Sequence, residues 1–203
     1  GKVSNAQELK TVNYQDQQQK LTGLITSNAG KPRAGVLILP AWKGIDQEAK
    51  DAAIALEKAG FIAFIADIYG DGNTPKDNGE AAKQSSIYKN DFKTYQSRIS
   101  AGIQELKKNG ATQVAVIGYC FGGTGALESA RGKLPVAGVV SIHGSIGKDQ
   151  SRPNEDISTK ILVENPAEDK SVTPEDYNNL IKEMNDGKAD WQIITYAHCG
   201  HTF

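Results

Sequence analysis

The chain has 203 residues, and its 23 lysines and arginines nearly balance its 24 aspartates and glutamates, for a net charge of −1. This length suits one domain with a sizeable hydrophobic core. The balanced charge gives no indication of binding to nucleic acid or to an anionic membrane. No apolar run approaches the length of a transmembrane helix, and two cysteines do not make a disulfide scaffold.

The start of the chain leaves the compartment open. The first residue is Gly1 rather than Met, and the small residues of "SNA" at Ser4–Ala6 are compatible with a signal-peptide cleavage site. Cytoplasmic and periplasmic locations are therefore both alternatives. A monomer and a homodimer are likewise both compatible with the sequence.

Short apolar runs recur along the chain and predict β-strands. The opening segment, about residues 9–26, is typical of an antiparallel hairpin. Most of the later runs are apolar throughout, as expected when helices cover both faces of a sheet. These predicted strands are Ala34–Pro40, Phe61–Asp67, Gln113–Gly118, Ala137–His143, Lys160–Glu164 and Trp191–Tyr196.

Helical patterns lie between these strands, over residues 46–60, 91–110, 122–130 and 173–187. Asp46 and Thr173 are suited to cap the first and last of them, and Gly60 and Gly187 are suited to end them. The alternation of strands and helices predicts one α/β domain over residues 1–203, with a mainly parallel sheet. Ligands should then bind beyond the carboxyl ends of the strands.

The sequence "GYCFG" joins a predicted strand to a predicted helix. Gly118 and Gly122 flank Cys120 at the spacing of a nucleophile elbow, where strand and helix approach too closely for side chains. The following helix would aim backbone N–H groups at the sulfur and favour the thiolate. We interpret Cys120 as a catalytic nucleophile, although a buried structural cysteine in a glycine turn is the alternative.

A catalytic thiol needs a base, and the base needs an acid that orients it. Histidines follow two of the predicted strands, and acidic residues follow a third. The candidate bases are His143, His198 and His201, and the candidate acids are Glu164, Glu168 and Asp169. The order nucleophile, acid, histidine is that of α/β-hydrolases.

Other interpretations of these residues have weaker support. His198, Cys199 and His201 have no second cluster at ligand spacing, so we expect no metal site. A redox pair of Cys120 and Cys199 lacks the Cys-x-x-Cys spacing. Tyr69 and Cys199 are candidates to line a substrate pocket.

Five motifs give the chain, from about Leu9 to Phe203, a resemblance to the dienelactone hydrolase family of α/β-hydrolases. They are "ADIYGDG" (Ala66–Gly72), "IGYCFGG" (Ile117–Gly123), "VVSIHG" (Val139–Gly144), "AEDKSVTPED" (Ala167–Asp176) and "WQIITYAHCGHTF" (Trp191–Phe203). The resemblance implies an α/β-hydrolase fold, a three-layer sandwich with helices on both faces of a mostly parallel sheet.

The same resemblance implies the site residues and the reaction. Cys120 would be the nucleophile, Asp169 the orienting acid and His201 the base, with an oxyanion hole from the backbone N–H groups of Phe121 and Trp42. The substrate would be a small ester or lactone, cleaved through a thioester without a cofactor. A non-catalytic or redox-thiol member of the fold is the alternative.

The chain departs from the family pattern at three places. Ala41 stands where relatives often carry a glutamate near the nucleophile, and Glu164–Asn165 stands where a His-Gly pair often precedes the acid loop. Relatives also usually continue past the catalytic histidine into a final helix, whereas this chain ends at Phe203. With alanine at position 41, Cys120 is expected to pair directly with His201 and to rest more as thiolate than it would in a relative that carries the glutamate.

Overall fold

The computed structural model describes residues 8–200 of the chain. The strands are β1 (Lys10–Asp16), β2 (Gln19–Ile25), β3 (Arg33–Leu39), β4 (Ile62–Ile65), β5 (Ala111–Tyr119), β6 (Gly138–Ile142), β7 (Lys160–Pro166) and β8 (Trp191–Tyr196). The helices are α1 (Gln47–Lys58), α2 (Asn78–Asn90), α3 (Phe92–Lys108), α4 (Phe121–Arg131) and α5 (Pro174–Asp186).

These strands form one eight-stranded sheet in the order β1-β2-β4-β3-β5-β6-β7-β8. The hairpin β1–β2 and the pair β2–β4 are antiparallel, and the other neighbours are parallel. The predicted α/β-hydrolase fold, with its mostly parallel sheet between helices, is confirmed. Because β3 to β8 are parallel, the loops after their carboxyl ends meet at one edge of the sheet.

The two faces of the sheet are covered differently. Helix α1 packs over β3 and β4 through Ala49 and Ala53, against Val36 and Ile38. The larger core lies on the opposite face, where α3, α4 and α5 contribute buried side chains. On the α1 face, β5 to β8 carry side chains that are only half-buried, among them Ile117, Tyr119, Val140, Ile142, Leu162 and Ile194.

The helix ends follow their sequence signals. The Asp46 carboxylate accepts a hydrogen bond from the Ala49 N–H at 2.9 Å, as predicted for an N-cap. Thr173 and Asp176 form a reciprocal capping box at the start of α5. These caps satisfy N–H groups that the first helical turn leaves without partners.

Helix α2 is absent from the sequence prediction. Its buried positions are Ala81, Ser85 and Tyr88, so the stripe that faces the core is short and includes a polar residue. Such a face gives little hydrophobic periodicity, which is why the pattern did not indicate a helix. Its N-terminus is nevertheless capped, because the Asp77 side chain accepts from the Glu80 N–H at 2.8 Å.

Among residues 8–200, no helix combines the length and the apolar character needed to cross a membrane.

Candidate active site

Cys120 lies at the turn between β5 and α4, with backbone angles φ 55° and ψ −114°. This region is rare for a residue with a side chain and costs about 1–3 kcal/mol, so it persists only where the surroundings hold it. The Cys120 N–H donates to the Ile142 carbonyl at 2.9 Å, and the Cys120 carbonyl accepts from the Gly123 N–H at 2.9 Å. The sulfur is therefore presented at the carboxyl end of β5, at the start of α4.

Two glycines make this turn sterically feasible. A Cβ atom at Gly118 would lie 1.8 Å from the Gly122 carbonyl oxygen, and one at Gly122 would lie 2.0 Å from the Leu39 carbonyl oxygen. Both obstacles are backbone atoms that cannot rotate away. The Gly-x-Cys-x-Gly spacing is therefore a requirement of the close approach of β3, β5 and α4.

The Cys120 thiol is half-buried, and burial raises its pKa above the usual value for cysteine. A hydrogen bond from the Phe121 N–H and the positive charge of Lys89 both act to lower the pKa, but they do not outweigh burial. The charges of Asp169 and Glu48 raise it further. The expected effect of the helix N-terminus is thus present as the Phe121 hydrogen bond. The expected pairing of Cys120 with His201, and the preference for thiolate that depends on it, stay predictions because His201 lies outside the described residues.

Asp169 follows the end of β7 and is the most buried of the three candidate acids. Its side chain accepts hydrogen bonds from the Ser171 N–H at 2.9 Å and from the Ser171 hydroxyl at 2.6 Å. Only 7% of Asp169 is exposed, whereas the side chain of Glu168 is 61% exposed. The Asp169 charge acts on the Cys120 thiol and raises its pKa, so the structure brings these two predicted site residues into electrostatic contact.

The candidate histidines differ in their placement. His143 is buried at the end of β6, where its backbone N–H donates to the Glu164 carbonyl at 3.0 Å. His198 is highly exposed and lies 3.7 Å from a Glu168 carboxylate oxygen. His201 lies outside the described residues, so its predicted role stays a prediction.

Trp42 lies in a tight turn after β3, which the Gly44 N–H closes by donating to the Ala41 carbonyl at 3.0 Å. The Tyr69 hydroxyl donates to the Trp42 carbonyl at 2.6 Å. Tyr69 itself is only 4% exposed, so its ring lies within the core behind this turn. Its predicted role in lining a pocket stays a prediction.

Cys199 is half-buried, and its carbonyl accepts from the Glu168 N–H at 2.9 Å. This hydrogen bond joins the loop after β8 to the acid loop after β7. A role for the Cys199 side chain in a substrate pocket stays a prediction.

Sequence reasoning missed two charged residues that change the pKa of the Cys120 thiol. Lys89 comes from the last turn of α2, and Glu48 from the first turn of α1. Glu48 also acts on Tyr119, and burial raises the pKa of Glu48 itself. Nothing in the local sequence around either residue indicates proximity to Cys120, and α2 was not predicted.

An open cleft of about 380 Å³ lies beside the first turns of α4. Tyr88, Lys89, Thr124 and Ser145 are among its lining residues. Thr124 is one helical turn beyond Cys120, so this cleft begins about one turn of α4 away from the thiol. Within residues 8–200, no group of three histidine, cysteine or acidic side chains is arranged to hold a metal ion.

Comparison with known proteins finds a relative whose name describes a lactonase. A Bradyrhizobium protein named "Probable 2-oxo-3-(5-oxofuran-2-ylidene)propanoate lactonase" is 26% identical over 181 residues, which cover 83% of this chain and 72% of that protein.

Solved structures show the same architecture. A dienelactone hydrolase-like promiscuous phosphotriesterase from metagenomic libraries superposes with a TM-score of 0.90 at 28% identity, covering 98% of this chain and 85% of the other. Est1E from Butyrivibrio proteoclasticus shares the fold with a TM-score of 0.66 at 14% identity, covering 94% of this chain and 90% of the other.

The family model described as "Dienelactone hydrolase family" matches residues 21–203, from the second strand of the hairpin to the end of the chain. The match includes the elbow, the acid loop and the terminal histidine motif that carried the resemblance. The chain therefore belongs to the dienelactone hydrolase family and is an ester or lactone hydrolase of the α/β-hydrolase fold.

Proposed function

We propose that the chain cleaves a small ester or lactone with Cys120 as nucleophile, Asp169 as orienting acid and His201 as base. The observation that carries the proposal is the strained backbone of Cys120, with the Phe121 N–H directed at its sulfur. A structural cysteine gains nothing from such strain, whereas a nucleophile gains exposure to substrate and a donor beside the reacting atoms.

The first step of the proposed reaction activates Cys120. Burial raises the pKa of the Cys120 thiol, which favours a mechanism in which His201 removes its proton as the sulfur attacks the substrate carbonyl. The negative charge that develops on the carbonyl oxygen is stabilised by the backbone N–H groups of Phe121 and Trp42. Collapse of this intermediate breaks the carbon–oxygen bond, and the imidazolium returns the proton to the leaving alkoxide.

A thioester on Cys120 remains after the first step. His201 then takes a proton from water as the water oxygen attacks the thioester, and the second collapse releases the carboxylic acid and regenerates the thiol. Asp169 fixes the tautomer and orientation of the imidazole, and Ser171 in turn fixes the Asp169 carboxylate through two hydrogen bonds.

The proposed substrate class is supported by family membership. A relative is named as a lactonase, and in a lactone the leaving alkoxide stays attached to the acyl group after ring opening. The cleft of about 380 Å³ that Thr124 lines offers room for a small molecule. A dienelactone is the substrate that the family suggests.

The test uses p-nitrophenyl acetate and a panel of small lactones with the wild-type protein, Cys120→Ser and the matched control Cys199→Ser. We expect Cys120→Ser to lose most of the activity and Cys199→Ser to retain it. Intact-mass measurement of the wild-type protein mixed with ester should show an acyl group on Cys120. Full activity after alkylation of Cys120 would reject the proposal and favour a non-catalytic role for this cysteine.

A further inference from the structure

We propose that Tyr69 and Tyr95 position the two backbone donors of the oxyanion hole by holding Phe121 between them. These three residues are called the aromatic clamp below. The inference rests on the proposed function, because it assigns the clamp to the transition state of that reaction. Tyr69 and Tyr95 are positioning residues, since they act through the peptides of Trp42 and Phe121.

The rings of the aromatic clamp are stacked in the order Tyr69, Phe121, Tyr95. The Tyr69 and Phe121 centroids are 5.7 Å apart with an interplanar angle of 20°. The Phe121 and Tyr95 centroids are 4.7 Å apart with an angle of 14°. All three residues are at least 96% buried, so neighbouring side chains fix the position of the Phe121 ring from both sides.

The Tyr95 hydroxyl enters the first turn of α4. It donates to the Phe121 carbonyl at 2.8 Å and accepts from the Gly125 N–H, so it stands within the turn that joins these two residues. A Cβ atom at Gly125 would lie 2.5 Å from the Tyr95 oxygen. Glycine at this position is therefore what allows the hydroxyl to approach the backbone just after the Phe121 N–H.

The Tyr69 hydroxyl performs the corresponding role on the other donor. It donates to the Trp42 carbonyl at 2.6 Å and so restrains the turn that carries the Trp42 N–H. Phe121 also approaches this turn, because it lines a small gap together with Ala41, Gly44 and Tyr69. The gap of about 10 Å³ holds no more than one water molecule, so the contact is tight.

The two donors come from separate segments, the turn after β3 and the elbow after β5. An oxyanion hole works only if both N–H groups are aimed at the same developing charge, and a misplacement of about 1 Å can cost about 100-fold in rate. The aromatic clamp joins the two segments through one stack of rings. At one end the Tyr69 hydroxyl donates to the Trp42 carbonyl, and at the other the Tyr95 hydroxyl donates to the Phe121 carbonyl. Its geometry therefore sets the spacing of the donors.

A purely structural role for these tyrosines is distinguishable, because Tyr→Phe removes only the hydroxyl and keeps the ring. The variants are Tyr69→Phe and Tyr95→Phe, with Tyr14→Phe as the matched control. Tyr14 also stacks edge-on against a phenylalanine, Phe64, and its hydroxyl accepts from the Asp67 N–H at 3.0 Å. Tyr14 lies on β1, in the opening hairpin.

Two reactions of Cys120 distinguish a loss of oxyanion-hole positioning from a general disturbance of the fold or of the thiol. Acylation by p-nitrophenyl acetate forms an oxyanion, whereas alkylation by iodoacetamide displaces iodide from carbon and forms none. We expect each clamp variant to slow the p-nitrophenol burst roughly tenfold, less than the loss of a whole donor. Alkylation rates and their pH profile should stay at the wild-type level, and Tyr14→Phe should behave as wild type in both reactions.

Wild-type burst rates in both Tyr69→Phe and Tyr95→Phe would overturn the inference. Parallel losses of acylation and alkylation would also overturn it, because the hydroxyls would then support the fold or the thiol and not the oxyanion. Failure of the proposed function gives a different result: alkylated wild-type protein would keep its esterase activity. The two hypotheses are therefore tested separately.

Discussion

Cys120 lies between opposing electrostatic influences. Burial and the carboxylates of Asp169 and Glu48 raise its thiol pKa, while the Phe121 N–H and the Lys89 ammonium act in the other direction. Alanine at position 41 carries no charge, whereas Glu48 supplies a negative charge from α1. In the proposed mechanism Cys120 therefore depends on a base for its activation, and the charges of neighbouring elements adjust how readily its proton leaves.

The first prediction concerns Lys89. Replacement by methionine in Lys89→Met removes a positive charge that favours the thiolate, so the pKa of Cys120 should rise. The pH profile of iodoacetamide alkylation should move to higher pH, and the rate at neutral pH should fall. Because Lys89 is exposed, the difference from wild type should shrink as salt is added.

Lys83→Met is the control for this measurement, since Lys83 is an exposed lysine of the same helix. Its alkylation profile should coincide with that of the wild-type protein. If the pH profile of alkylation shifted equally in the two variants, the effect would be a general one of net charge, which would contradict a specific influence of Lys89 on Cys120.

The second prediction concerns Asp169. Asp169→Asn keeps the size of the side chain but removes the charge that stabilises the imidazolium and fixes its tautomer, so kcat should fall by up to about 10⁴-fold. The control is Glu168→Gln, because Glu168 is adjacent but exposed. Steady-state kinetics on p-nitrophenyl acetate measure both, and a severe loss in Glu168→Gln with a mild loss in Asp169→Asn would reverse the assignment.

The elbow is determined by backbone contacts between β3, β5 and α4. Gly118 and Gly122 cannot be replaced by alanine without a backbone shift, because backbone carbonyl groups occupy the space that a Cβ atom would need at each position. The elbow could be predicted from sequence because the steric requirement falls on two glycines that each lie two positions from Cys120. The crowding therefore appears in the sequence as the Gly-x-Cys-x-Gly motif.

The third prediction follows from this crowding. In Gly122→Ala the new methyl group would meet the Leu39 carbonyl oxygen at 2.0 Å, and the backbone must shift to relieve the overlap. We expect a loss of about 3 kcal/mol or more in the free energy of unfolding, together with loss of activity. Urea denaturation and the p-nitrophenyl acetate assay measure the two effects.

Gly79→Ala is the matched control, because a Cβ atom there meets only a side-chain oxygen of Asp77 at 3.3 Å. Alanine in the first turn of α2 should leave stability within about 1 kcal/mol of the wild-type value. A Gly122→Ala variant with the wild-type denaturation midpoint would show that the elbow tolerates a side chain, contrary to the geometry.

Features that depend on distant segments escaped the sequence analysis for an equally physical reason. The strands were predicted because burial on both faces leaves continuous apolar runs. The aromatic clamp brings together residues from three separate segments, and nothing near Tyr69 or Tyr95 indicates their contact with Phe121. Lys89 was missed because α2 buries too narrow a stripe to give a helical pattern.

Helix α4 is held at both ends, by the aromatic clamp at its start and by a cluster of charges at its end. Arg131 is buried and donates to Glu183 of α5 through two nitrogens at 2.9 Å each. It also donates to Glu128, which accepts from Arg152 of the loop after β6. Through this cluster, the helix that begins directly after Cys120 is joined to α5 and to the loop that lines the cleft.

The charges in this cluster depend on one another. Burial alone would raise the pKa of Glu128, but the hydrogen bond from Arg152 and the charge of Arg131 outweigh it and hold the pKa below its usual value. A carboxyl group with a lowered pKa in the folded state stabilises the fold above its unfolded pKa. That contribution is lost as the pH falls through the lowered value.

The last prediction concerns Arg131→Met, which removes the cation that Glu128 and Glu183 share and leaves Glu128 with Arg152 alone. We expect a loss of roughly 3–5 kcal/mol in the free energy of unfolding at neutral pH, because Glu183 stays buried without this partner and Glu128 keeps only one of its two cations. Lys182→Met is the control, since it breaks an exposed ion pair with Asp186 on the same helix as Glu183 and should cost less than about 1 kcal/mol.

The dependence of this loss on pH gives a sharper test. Without Arg131 the pKa of Glu128 should rise, so protonation in mild acid should relieve the buried charge in the variant while the wild-type protein loses stabilisation. The difference between Arg131→Met and wild type should therefore be largest near neutral pH and should narrow as the pH falls. Urea denaturation at several pH values measures it. A loss equal to that of Lys182→Met, or a difference that widens in acid, would show that the cluster does not join α4 to α5 as the geometry indicates.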